Sequence, residues 1–117
     1  MRCLLDTHTL IWAVHNTHKI SPAAFEIIQD TENSIYVSAI SFWEISLKFS
    51  IGKMGFKTIV PESVYEACLL SGFILLPLDC ETANSIHHLD LNKHKDPFDR
   101  MLIWTALKNN FTFNYKR

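Results

Sequence analysis

Four short apolar runs, separated by longer stretches of helical character, constrain this chain more than any other feature. Arg2-Cys3-Leu4-Leu5-Asp6 is apolar and ends in an acid, which suits a buried strand with Asp6 at its C-terminal end. Ser34 to Ser38 reads as a second strand, Phe73 to Leu78 as a third and Phe111 to Tyr115 as a short last one. Thr7 to Val14 reads as a helix or a long turn. Ser21-Pro22 looks like an N-cap with proline at the first helical position, and Ala24, Ile27 and Ile28 follow at helical spacing. Further helices are expected from Ile40 to about Ile51, ended by Gly52, and from Pro61 to Leu70, stopped by Gly72. Glu81 to Leu89 reads as helical, and Asp96-Pro97 opens a last helix that runs to about Lys108. Strands that alternate with helices imply an α/β fold, with a parallel sheet covered by helices on both faces. Sites in such sheets form beyond the carboxyl ends of the strands, where Asp6 falls.

With 117 residues, the chain fits a single domain spanning 1–117. A hydrophobic fraction of 48% supplies a core, and a charged fraction of 20% argues against disorder. A net charge of −1 excludes a molecule that is basic throughout. The charge is unevenly spread: residues 1–92 carry five Lys/Arg against ten Asp/Glu, and residues 93–117 carry six against two. A basic end beside an acidic site would steer a polyanion towards it, although such a run also serves as a solvated surface. Cys3, Cys68 and Cys80 have no CxxC spacing and read as small buried hydrophobes in a reducing compartment. Neither a signal-peptide pattern nor an apolar run of about 20 residues is visible, so a soluble, cytoplasmic protein with no membrane partner is expected.

Four acids stand out, each with a structural alternative. Asp6 either caps the helix that follows its strand or serves a site at the sheet rim. Glu44 lies in the apolar stretch Ile40-Ser41-Phe42-Trp43-Glu44-Ile45, where a buried charge is costly unless it is paired or binds a metal. The alternative is a capping box, since Ser41-Phe42-Trp43-Glu44 matches S-x-x-E. Asp96 before Pro97 looks like an N-cap, which makes it mainly structural. Asp99 then falls in the first helical turn and is directed at the site. In a parallel sheet, strand C-termini and helix N-termini share one rim, so Asp6, Glu44 and Asp99 can converge there. Carboxylates so placed repel one another, and a hard divalent cation such as Mg²⁺ or Mn²⁺ relieves that repulsion. Such an ion suits phosphodiester hydrolysis.

Other chemistries find little support. The three glycines, at 52, 55 and 72, form no phosphate loop, which argues against a nucleotide-binding domain. HExxH and GxSxG are both absent. His87 and His88 are adjacent and would point apart on a helix, while His8, His15 and His18 lack ligand spacing. Trp12, Trp43 and Trp104 lie in apolar helices and read as core residues.

Three blocks of this sequence resemble VapC-type PIN-domain toxins. Leu4-Leu5-Asp6-Thr7-His8-Thr9-Leu10-Ile11-Trp12 resembles their opening, and Val37-Ser38-Ala39-Ile40-Ser41-Phe42-Trp43-Glu44-Ile45 their second block, with Gly52-Lys53 fitting the end of that helix. His94-Lys95-Asp96-Pro97-Phe98-Asp99-Arg100-Met101-Leu102-Ile103 resembles the third. The blocks stand in order and span nearly the whole chain. The resemblance implies a three-layer α/β/α sandwich with a mainly parallel sheet. It implies a Mg²⁺-dependent ribonuclease toxin of a toxin–antitoxin pair, dimeric and inhibited by a VapB-type antitoxin. It carries metal binding and catalysis onto Asp6, Glu44 and Asp99, adds Asp96 as a further metal ligand, and gives Thr7 a supporting hydroxyl.

One departure bears on activity. The family pattern continues into a strand with a T-x-D motif, whose aspartate is a fourth site acid. Here Phe111-Thr112-Phe113-Asn114-Tyr115-Lys116-Arg117 takes that strand, and Arg117 falls about where the acid is expected. The usual closing segment, roughly ten or more residues, is also missing. A truncated form is therefore expected, and with it an alternative function: a catalytically impaired remnant that only binds an antitoxin or dimerises.

Overall fold

The computed structural model describes residues 1–90 and 96–114. Four strands form one sheet in the order β3-β2-β1-β4. They are β1 (Arg2–Leu5), β2 (Ser34–Ser38), β3 (Ile74–Leu76) and β4 (Thr112–Asn114). All three pairings are parallel. The helices are α1 (Thr7–Val14), α2 (Pro22–Gln29), α3 (Ala39–Ser50), α4 (Pro61–Leu70), α5 (Cys80–Asn84) and α6 (Pro97–Asn109). The expected α/β architecture is therefore present.

Strand alternation explains why the sheet is buried on both sides. Cys3 and Leu5 of β1, with Ile35 and Val37 of β2, join a core with Leu10, Ile11, Val64 and Cys68 from the helices. Leu4 points the other way, into a second core with Ile40, Phe98, Leu102, Ala106 and Phe111. Successive side chains of a strand face opposite sides, so a strand buried on both reads as a continuous apolar run. Helix α3 touches both cores, with Ile40 in one and Ile45 in the other.

Capping follows the sequence at most helix starts. Ser21 accepts from the Ala24 amide at 3.1 Å with Pro22 behind it, as expected. Asp79 caps α5, accepting from the Thr82 amide at 2.7 Å. Gly52 and Gly72, at φ 66° and 76°, take the left-handed conformation that ends α3 and α4. Asn110 does the same after α6, at φ 56°.

Several expectations need correction. Glu81 to Leu89 is not one helix, because α5 stops at Asn84 and a 3₁₀ turn follows at Ile86–His88. The Ser85 hydroxyl donates to the Glu81 and Thr82 carbonyls, and its oxygen accepts from the Trp104 indole at 3.0 Å. Side-chain bonds of this kind compete with the helical ladder at that point. On the tighter turn the His87 and His88 rings lie side by side, with centroids 4.1 Å apart and a tilt of 38°, instead of pointing away from each other. Trp43 is 59% exposed, with one edge against Phe98. The strand expected over Phe73 to Leu78 is confined to Ile74–Leu76. Lys93, His94, Lys95, Tyr115, Lys116 and Arg117 lie outside the described residues, and with them most of the basic end and the position compared with the T-x-D acid.

Cys3 and Cys68 are buried as expected, but Cys80 is exposed at the start of α5. Burial also pushes the Cys68 thiol up to about 11. A thiol reagent at pH 8 is therefore expected to label one cysteine of the native chain and all three in denaturant. Rapid native labelling of Cys68 would contradict this packing.

Candidate metal-binding site

The acids gather where strands end and helices begin. Asp6 directly follows β1 and is only 1% exposed. Its Oδ1 accepts from the Thr9 amide at 2.8 Å, so it caps α1 while standing at the rim. The capping and rim roles weighed for Asp6 are thus compatible. Leu5 is in register with Asn114, so β4 ends at the same rim.

Glu44 sits on the second turn of α3 and is 2% exposed. The capping-box alternative does not hold. Helix α3 begins straight from the end of β2, and its N-cap is Ser38, whose Oγ accepts from the Ile40 amide at 3.0 Å. Ser41 is already inside the helix, where its Oγ accepts from Thr7 Oγ1 at 3.1 Å. Thr7 therefore ties the first turns of α1 and α3 together, carrying Asp6 and Glu44 with them. Glu44 Oε2 pairs with Lys48 Nζ at 2.5 Å, whereas the buried Oε1 has no hydrogen-bond partner among the described residues. A buried carboxylate oxygen without a partner is costly and calls for an explanation, such as an ion.

Asp96 takes the N-cap position that its place before Pro97 suggests. Asp96 is exposed and caps α6, its Oδ1 accepting from the amides of Phe98 at 2.9 Å and Asp99 at 3.1 Å. Asp99 is half-buried in the first turn. Its carboxyl is held above the usual aspartate range, first by burial and then by the negative charges of Asp96, Glu44 and Asp6. His8 opposes this. A helix N-terminus favours a carboxylate, so burial and the three neighbouring acids outweigh it here.

That shift joins all four acids through Asp99. It also brings in His8, whose ring lies 5.8 Å from that of Phe56 and 6.0 Å from that of Trp12. Sequence spacing gave no reason to place His8 or Lys48 at the site. Coulombic coupling reaches further than ligation. Among the described residues, no three His, Cys, Asp or Glu side chains stand together closely enough to hold an ion as placed. The donor chemistry nonetheless fits a hard divalent cation, because the acids offer oxygen ligands and Glu44 has one buried oxygen unengaged. Binding would require side-chain rotation at the rim. A cavity of about 420 Å³ between α3 and α4, lined by Phe42, Ile45, Pro61 and Tyr65 among others, contains none of these acids.

The raised Asp99 carboxyl has a consequence for the metal-free chain. It holds its proton more firmly folded than unfolded, so its contribution to stability is complete below the unfolded value and is lost as pH rises through the raised folded value. Asp99→Asn is therefore expected to raise the Tm at pH 7 in EDTA and to remove part of the loss on going from acid to neutral pH. An unchanged or lower Tm in EDTA would contradict the crowding of charge at Asp99.

A family model for the PIN domain matches residues 3–114. Among solved structures, one described as the crystal structure of VapBC2 from Rickettsia felis bound to a DNA fragment from their promoter superposes with a TM-score of 0.66. The identity is 17%, over 97% of this chain and 85% of that one, a likeness of fold. No curated protein sequence matches the chain.

Proposed function

This chain belongs to the PIN-domain family, and from that premise we propose that it is a divalent-cation-dependent ribonuclease toxin of the VapC type. The observations that carry the reading are the buried, unengaged Oε1 of Glu44 and the Asp99 carboxyl, raised first by burial and then by the charges of Asp96, Glu44 and Asp6. Asp6, Glu44 and Asp99 would hold Mg²⁺ or Mn²⁺. Asp96 acts chiefly by fixing the first turn of α6, since one of its oxygens already accepts two amides. When bound, such an ion lowers the pKa of a water and offsets charge on phosphate oxygens. The chain's own part is to present the three carboxylates from rigid element ends. Thr7–Ser41 locks two of those elements together, and Leu102 and Phe98 seat the third on the sheet.

RNA is the proposed substrate, and a VapB-type antitoxin and a second copy of the chain are the proposed partners. The likeness in fold to the Rickettsia felis VapBC2 structure, with its promoter DNA, is in keeping with the antitoxin assignment. Among the described residues no helix is long and apolar enough to cross a membrane, and we assign the protein to the cytoplasm.

The test is incubation of the purified protein with a panel of structured RNAs, in Mg²⁺ or Mn²⁺ and in EDTA. Cleavage that requires the cation is the expected result. Intact RNA throughout, from protein shown to be folded, would overturn the nuclease reading in favour of a protein that only binds an antitoxin or dimerises.

A further inference from the structure

Lys48 lies one helical turn after Glu44, with its Nζ 2.5 Å from Glu44 Oε2. The same ammonium stands 4.9 Å from the centroid of the Phe56 ring and 5.4 Å from that of Phe98. These rings belong to the loop after α3 and to the first turn of α6. Three separate parts of the chain thus fix the cation, and Phe98 is the immediate neighbour of Asp99.

An ordinary i,i+4 pair on a helix surface is solvated and weak. This pair is largely desolvated, the Lys48 side chain being 18% exposed and that of Glu44 3%. A buried carboxylate that loses its partner charge is strongly destabilising, and the two rings add cation–π attraction to hold the ammonium in place. The pairing satisfies only one oxygen, and Oε1 remains without a partner among the described residues. A divalent ion drawn to Glu44 therefore meets a positive charge already in position.

Resting on the carboxylate site described above, we propose that Lys48 is the resident counter-ion of that site: it holds Glu44 in the metal-free chain and yields it when a divalent cation binds. Lys48 is a positioning residue that acts through Glu44. It weakens ion binding, and in return it spares the metal-free fold an uncompensated buried charge. Ammonium and ion compete for one carboxylate, so each lowers the hold of the other.

Lys48→Met tests this, because it keeps an unbranched apolar stem against Phe56 and Phe98 while removing the charge. Mn²⁺ binding is followed by calorimetry, and melting is followed in EDTA. The expected result is about 10-fold tighter Mn²⁺ binding together with a lower Tm in EDTA. A lower Tm with unchanged or weaker Mn²⁺ binding is what a purely structural bridge would give, and it would overturn the counter-ion role alone. Should Lys48→Met fail to fold, Lys48→Arg decides. Its bidentate fork holds a carboxylate more firmly, so weaker Mn²⁺ binding is expected, and equal or tighter binding would overturn the role. Binding that first emerges in Lys48→Met would support it. If neither the parent nor a folded variant binds Mn²⁺, the carboxylate site itself falls, and this role with it.

Discussion

Asp6→Asn is expected to reduce cation-dependent RNA cleavage by about 100-fold or more, since even residues that merely support metal ligands cost 10–100-fold when changed. The substitution separates the two roles of this side chain. Asparagine is as good an N-cap as aspartate, and its amide oxygen can still accept from the Thr9 amide that Asp6 Oδ1 now engages. What it removes is the negative charge at a position that is 1% exposed. Far-UV circular dichroism should therefore be retained while activity is lost. Cleavage within a few-fold of the parent would mean that Asp6 is only a cap.

Leu102→Ala is expected to lower the free energy of unfolding by about 2–5 kcal/mol, the usual cost of truncating a fully buried leucine. Leu102 has no exposed surface and packs in the core that joins Leu4 and Ile40 to α6. A marginally stable domain has little to spare against such a loss. The damage would extend to the site, because the same face of α6 seats the turn that carries Asp99. Urea denaturation measures this directly. A change below about 1 kcal/mol would show that α6 is not held to the sheet by this core.

The parts of the fold that local chemistry dictates were legible in the sequence. Leu4-Leu5 ahead of an acid, Ser21-Pro22 and Asp96-Pro97 each specify their own element, and each stands where its residues indicate. Glu44 was legible as an anomaly, the lone acid in an apolar helix, though local spacing could not separate a cap from a buried ligand. That distinction depends on where α3 begins, and the helix starts three residues earlier than the S-x-x-E pattern suggests because β2 runs straight into Ser38. Long-range placement was not legible. The two rings around Lys48 come from Phe56 and Phe98, far apart in sequence. The break at Ser85 is stabilised by Trp104 from another helix. Trp43 reads as core by composition yet lies at the surface, because Glu44 and Ile45 take the inward positions of that turn.

Asp6, Glu44 and Asp99 are proposed to share one divalent cation. Titration of Mn²⁺ into the parent and into Asp6→Asn, Glu44→Gln, Asp99→Asn and Asp96→Asn tests this most directly. The first three variants are each expected to weaken binding by at least about 10-fold, and Asp96→Asn, which preserves the cap, is expected to have the smallest effect. Parent affinity retained in all three would contradict a shared carboxylate site.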